Sequence, residues 1–262
     1  MTKPPSPSRF RPTRAPDPRL LQEHAPELRA IERRLLLRGS LSLGALAMLG
    51  GCSPSDSQAV QAALRAISRF NDSVQAWLFD PNRLAPTYPE SMVLKPPRFN
   101  AYYDVDEVVP VDGAAWRLEL AGRIAERQPW NLRQVLALPE REIIIRHVCV
   151  EGWDYIGQWS GVPLRLFLER VGADLRSRYV AFRCADGYWG SIDMATALHP
   201  QTLLATKYAR QAMADPFGYP LRLRTATKLG FKNPKWITSI EVTNAYPGGY
   251  WEDRGFNWFS GL

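Results

Sequence analysis

The chain has 262 residues and is 45% hydrophobic, enough for one large core or two small ones, so wholesale disorder is excluded. Its net charge of +7 leaves no nucleic-acid footprint on the body: nine Lys and Arg against four Asp and Glu fall within residues 1–52, and the rest carries 24 basic and 22 acidic residues. Nine Trp and 22 Pro exclude a plain helical bundle and predict a loop-rich fold with aromatic anchors.

Residues 1–30 are rich in Pro and Arg, lack hydrophobic periodicity, and read as disordered. Next comes "ERRLLLRGSLSLGALAMLGGC", Glu32 to Cys52. Its uncharged run Gly39–Gly51 is thirteen residues, short of the roughly 20 that a membrane-spanning helix needs. The order of charge and apolar run suits an export signal. With Arg33, Arg34 and Arg38 it resembles a twin-arginine signal, whose route carries folded, cofactor-loaded proteins. "LGGC" resembles a bacterial lipobox, in which Cys52 would be lipidated and begin the mature chain. An uncleaved signal anchor, or cleavage just past Cys52, are the alternatives. Each predicts a periplasmic or extracytoplasmic body, attached to membrane only through a lipid or signal anchor.

Residues 57–80 space Val60, Leu64, Ile67, Val74, Trp77 and Leu78 as an amphipathic helix. "FDPNRLAPTYPE" (79–90) breaks regularity, and residues 53–94 together read as a helix and wrapping arm. The main domain is predicted over 95–262. Its expected elements are short: a strand at "AWRLELAG" (115–122), a helix at "NLRQVLAL" (131–138), a strand at "REIIIRHVCV" (141–150), and a helix at "PLRLFLERVG" (163–172) between Pro163 and Gly172. A strand follows at "RYVAFRCAD" (178–186), with Val180, Phe182 and Cys184 on one face. "SIDMATAL" (191–198) starts a short helix. "LLATKY", "PLRLRTAT" and "WITSIEVTNAY" (236–246) read as strands. Strands and helices mix without strict βαβ alternation, which predicts an α+β fold with a mixed β-sheet.

Three cysteines are present. With Cys52 set aside, Cys149 and Cys184 remain, and an oxidising compartment favours their pairing. Cys149, in "RHVCVEGW", has three other roles open to it: core thiol, nucleophile, metal ligand. The chain has no GxGxxG and no P-loop, so dinucleotide and P-loop readings lack a phosphate cradle. It has no CxxC, CxxCH or HExxH, which removes thioredoxin-like, c-type haem and zincin readings. A thiol enzyme using Cys149 with His199 or His147 has no positional signature.

"RHVCVEGW" resembles the molybdopterin-binding oxidoreductases of the sulfite oxidase fold, on the branch of periplasmic methionine-sulfoxide reductases. Four further stretches agree in order: "RFNAYYDV" (98–105), "WSGVPLRLFLERVG" (159–172), "GYPLRLRTATKLGFKNPKWI" (218–237) and "GYWEDRGF" (249–256). The resemblance implies that Cys149 is the molybdenum ligand, as a soft thiolate suits. It implies pterin contacts from Asn100, Tyr103 and Asp104. It further implies phosphate contacts from Arg222 and Lys232, with the backbone of Gly230 and Phe231 close by. Cys184 stands where a threonine is usual near the cofactor, and lines the site or simply fills the core. Phe217 stands where the branch has an asparagine.

The "CAGNRR" run of sulfite oxidases is absent; Val150, Glu151, Gly152 and Trp153 follow Cys149 instead. That argues against sulfite as the assumed substrate. The implied activity is two-electron oxygen-atom transfer on a small sulfur- or nitrogen-containing substrate, for example an S-oxide, with a Mo-molybdopterin cofactor. Arg146, His147, Trp153, Tyr155 and Trp159 are candidates for the substrate side. With no haem expected in this chain, electrons are expected from a separate partner such as a membrane haem protein. The alternative is a non-catalytic lipoprotein of the same fold acting as a binding module.

Overall fold

A computed structural model describes residues 58–262. The expectations for the export signal and Cys52 lie outside the described residues. The chain divides into two units, Met1–Ala63 and Leu64–Leu262. The first helix, α1 (Gln58–Leu78), is uninterrupted by Gly or Pro and stops just ahead of Asp80-Pro81, a pair that disfavours helix. Amphipathic spacing ordinarily marks a core-facing stripe. Here Leu64, Ile67, Phe70, Val74, Trp77 and Leu78 are all exposed.

Beyond α1 the arm runs along a sheet. Tyr88 N donates to Ile144 O at 3.2 Å, Leu94 N to Ile156 O at 2.9 Å, and the Tyr208 hydroxyl to Leu94 O at 2.5 Å.

The remaining elements, in chain order, are β1 (Arg117–Gly122), β2 (Trp130–Asn131), α2 (Leu132–Leu136), β3 (Arg141–Val148), β4 (Asp154–Pro163) and α3 (Leu164–Arg170). Then come β5 (Tyr179–Cys184), β6 (Trp189–Asp193), α4 (Met194–Leu198), β7 (Thr202–Tyr208), β8 (Gln211–Ala212), β9 (Arg222–Thr225) and β10 (Ile237–Thr243). One sheet has the order β2-β1-β10-β5-β6, the other β3-β4-β7-β8 with β9 also on β7. β1 and β10 run parallel while the other pairs are antiparallel, so the architecture is α+β with mixed pairing.

Two apolar clusters hold these layers. The larger joins Leu118, Leu120, Val180, Phe182, Ile240 and Val242 of the first sheet to Leu164, Phe167 and Leu168 of α3. The smaller joins Ile143, Ile145, Tyr155 and Trp159 of the β3–β4 hairpin to Leu203 and Tyr208 of β7.

Two elements differ from expectation. β4 carries no alternating signal because it lies between β3 and β7 with both faces covered, and its central residues are continuously buried. Gly161 belongs to that crowding: a Cβ there would stand 2.1 Å from Leu204 O. The segment 191–198 is strand up to Asp193, whose side chain caps α4 by accepting from Thr196 N at 2.7 Å; the helix starts only at Met194.

Candidate active site

Cys149 follows β3 directly, at the tip of the β3–β4 hairpin. Cys149 N donates to Trp153 O at 2.9 Å and Gly152 N to Cys149 O at 3.2 Å, which closes a tight turn. Gly152 supplies the positive φ of 89° that the turn requires. The thiol is thereby fixed at a nearly buried position with the hairpin core behind it. Cys149 and Cys184 are both free thiols, so the disulfide alternative is not the one realised.

Cys149 lines a cleft together with Asn100, Tyr102, Asp186, Tyr188 and Lys235. The loop Gly230, Phe231 and Asn233 forms another part of the wall. Asn233 braces that loop against β9. Its Oδ1 accepts from Arg224 Nη1 at 3.0 Å and Thr225 N at 2.7 Å, and its Nδ2 donates to Leu229 O at 3.0 Å. Across the cleft, the Tyr188 hydroxyl donates to Phe231 O at 2.7 Å. Asp186 accepts from the Tyr103 hydroxyl at 3.1 Å and from Tyr188 N at 3.0 Å. Burial raises its carboxyl pKa.

Several buried basic side chains gather at and behind the wall. Arg222 and Arg224 are fully buried over the Trp159 ring, at 4.7 Å and 5.7 Å from its centroid. Arg222 donates to Phe217 O at 2.9 Å, and Arg224 to Arg146 O at 2.8 Å. Lys235 donates to Pro216 O at 3.2 Å, and burial pushes its pKa down to about 6. Among the described residues none of the three forms an ion pair with a carboxylate. His147 is buried beside Trp153 and Tyr155, at ring separations of 5.8 Å and 5.0 Å, and neither ring nitrogen has a partner. Burial, then Arg224, Arg222 and Lys235, hold its pKa well below the usual value, so it is neutral at physiological pH. Gly230 is held against it; a Cβ there would lie 2.7 Å from His147 Nε2.

The sequence-predicted residues distribute unevenly. Asn100, Cys149, Gly230 and Phe231 meet at the cleft. Tyr103 reaches it through Asp186, while Asp104 instead caps a short 3-10 turn at Val105–Glu107. Arg222 stands behind the lining, and Lys232 is turned into a buried ion pair with Glu252. Cys184 packs in the larger core with Val180 and Phe182. Of the substrate-side candidates, Trp153 donates from Nε1 to Glu151 Oε2 at 2.7 Å, beside the thiol. Arg146 pairs with Asp154 at the surface, and Tyr155 and Trp159 are buried in the smaller core. Sequence reasoning missed Glu151, Asp186, Tyr188, Asn233 and Lys235. The last two lie inside the quoted "GFKNPKW" run, where Lys232 drew attention away from Lys235.

The cleft's chemistry fits a large anionic cofactor held through a thiolate. It offers a free thiol, polar edges, and buried basic side chains with no carboxylate in ion-pair contact among the described residues. A thiol nucleophile fits less well: burial leads the shift of Cys149 upward, and no cation is among the causes.

Residues 106–251 match the family model "Oxidoreductase molybdopterin binding domain", and the chain belongs to that family. It is a molybdopterin-dependent oxidoreductase with an α+β fold. More particularly, it is 56% identical over 229 residues to "Putative protein-methionine-sulfoxide reductase subunit YedZ1" of Azospira oryzae, covering 87% of each chain. "Protein-methionine-sulfoxide reductase catalytic subunit MsrP" of Campylobacter jejuni is 30% identical over 154 residues, 52% of each chain. The protein of the same name from Xanthomonas campestris is 32% identical over 154 residues, 53% of this chain and 48% of that one. Among solved structures, the sulfane dehydrogenase SoxCD of Paracoccus pantotrophus superposes with a TM-score of 0.49 at 17% identity, over 53% of this chain and 40% of that one.

Proposed function

We propose that this enzyme is exported and reduces an S-oxide, with methionine sulfoxide as the first candidate, using a Mo-molybdopterin whose metal is ligated by the Cys149 thiolate. The relatives' names support the substrate. The order of charge and apolar residues over Glu32–Cys52 supports export and attachment through Cys52. Electrons would come from a separate membrane haem protein.

The observation that carries the reading is Cys149, a free thiol on a cleft wall backed by Arg222, Arg224 and Lys235 without carboxylate partners. When bound, the cofactor supplies two-electron oxygen-atom transfer. The chain's own residues hold and orient it. The Cys149–Trp153 turn fixes the thiol, and the Asn233-braced loop fixes one wall. Asn100, the Tyr103–Asp186 pair and Tyr188 present polar edges. Lys235, with Arg222 and Arg224 behind it, compensates anionic charge in a region where charge is costly to leave unpaired. Neutral, buried His147 gives the loop an uncharged surface to pack on. Glu151 stands at the rim, 3.8 Å from the Cys149 sulfur.

The test is purification from a molybdenum-replete host competent in twin-arginine export, followed by metal and pterin analysis. Activity is then measured on methionine sulfoxide, N-oxides and sulfite with an artificial electron carrier. Stoichiometric molybdenum and reduction of methionine sulfoxide are expected. Turnover confined to sulfite or N-oxides would overturn the substrate assignment.

A further inference from the structure

α1 is mounted with its polar side toward the body. Asp72 Oδ1 accepts from Phe259 N at 2.7 Å, Gln75 Nε2 donates to Asn257 Oδ1 at 3.3 Å, and Gly261 N donates to Gln75 Oε1 at 3.2 Å. Half-buried Ser68 lies one turn before Asp72 on that side. The apolar residues are turned away: Leu64 is 52% exposed, Ile67 57%, Phe70 67%, Leu78 67% and Trp77 83%. An apolar stripe of this extent is not a usual water-facing surface. Burying each such side chain is worth about 1.5–3 kcal/mol.

The charges on α1 indicate what covers the stripe. They are Arg65, Arg69 and Asp72, and Asp72 is the one engaged with the body. Arg65 and Arg69, seven and three residues before Asp72, lie toward that same side but remain exposed, so the charge left free on α1 is basic and none falls within the apolar stripe. The chain before α1 adds a second indication: five residues separate Cys52 from Gln58, a span of at most roughly 22 Å. No described helix is long and apolar enough to cross a membrane.

We infer that α1 lies in the surface of a phospholipid bilayer carrying anionic headgroups. The stripe Leu64–Leu78 enters the acyl boundary, Trp77 sits at headgroup level, and the exposed Arg65 and Arg69 attract the anionic surface from the helix's other side. The inference rests on the export and anchoring proposed above, which brings α1 to the bilayer; the exposed stripe is a property of α1 itself.

The test uses the full cofactor-loaded chain carrying Cys52→Ser, which can bear no lipid, in flotation with phosphatidylethanolamine vesicles with and without phosphatidylglycerol. Flotation with the anionic vesicles, weakened by salt, is expected. Adding Ile67→Ser, Phe70→Ser and Trp77→Ser is expected to lower the bound fraction at least about tenfold. Helix content and activity with a soluble electron carrier stay unchanged, because these side chains are remote from the cleft. Failure to float overturns the inference. Flotation that the triple variant retains also overturns it, since the apolar run 39–51 would then be responsible. A concentration-dependent dimer that the triple variant abolishes, without flotation, overturns it in favour of a second copy. Mass analysis of Cys52 in wild-type protein tests the anchor separately: an unmodified Cys52 rejects lipidation and leaves the vesicle result standing.

Discussion

Two groups of buried basic side chains occur within residues 222–235, around the loop that carries Gly230, and they are treated oppositely. Lys228 and Lys232 have carboxylates: Lys228 Nζ is 3.2 Å from Asp193 and also lies over the Phe259 ring, and Lys232 pairs with Glu252. Arg222, Arg224 and Lys235 are given only carbonyls, an amide oxygen and aromatic faces. A buried charge with its partner in place belongs to the internal structure. A buried charge solvated only by neutral dipoles is costly in isolation and leaves room for an anion from outside. The difference separates the part of the molecule complete in itself from the part completed by a ligand.

The largest expected effect tests the ligand side at its covalent end. Cys149→Ser should abolish turnover and change or remove the molybdenum signal in electron paramagnetic resonance, with the fold intact by circular dichroism. Unchanged spectra and activity would show that the thiol is only a core residue. Next comes the self-contained side. Lys232→Met strands Glu252 and should cost about 3–5 kcal/mol in urea unfolding. The double variant Lys232→Met/Glu252→Leu should recover most of that loss. No loss in the single variant would break the comparison from the paired side.

A third variant sets the two groups directly against each other. Lys235→Met should weaken cofactor retention by about 10–100-fold, the worth of one charge-assisted contact. The same change should leave the apoprotein as stable or more so near neutral pH, since it replaces an amine that burial has already stripped of its proton with an apolar side chain. An apoprotein destabilised as much as by Lys232→Met would erase the distinction.

The smallest effect is a pH slope. Folded Lys235 titrates at about 6, whereas the unfolded lysine stays protonated far above that. Between those values the unfolded chain binds more protons, so this group makes apoprotein stability rise with pH and fall as pH drops toward 6. Loading the anionic cofactor should raise the Lys235 pKa and flatten the slope. Parallel urea titrations of apo and loaded protein across that range measure it, and identical slopes would count against Lys235 as the compensating charge.

How far the sequence leads varies by region for physical reasons. Alternating strands such as β1 and β5 are readable because one face is core and the other is not. β4 is unreadable because both of its faces are covered. Cys149 is legible through its position at the end of an apolar run and its neighbours in "RHVCVEGW". Asn100, Gly230 and Phe231 are legible through short collinear motifs. Lys235, Asp186 and Tyr188 are not, because their role depends on which way a side chain turns once the sheets have packed. Lys232 and Lys235 sit three residues apart in the same loop, yet one faces Glu252 and the other the cleft. The outward stripe of α1 is the reverse case: the periodicity is plain, but periodicity alone does not say which side meets the body.

The cleft also has a history in time. Its wall draws on Asn100–Tyr102, Cys149–Glu151, Asp186–Tyr188, Gly230–Lys235 and Trp251, each on a different stretch of chain. β10, which pairs with both β1 and β5, is itself among the last strands to be made. A ribosome-bound chain therefore offers no partial cleft worth occupying, and such distant pairings are slow to form. Cofactor capture must follow synthesis, after release and sheet closure. On the export proposed above, the interval between closing the sheets and leaving the cytoplasm is the window in which the cleft can be loaded.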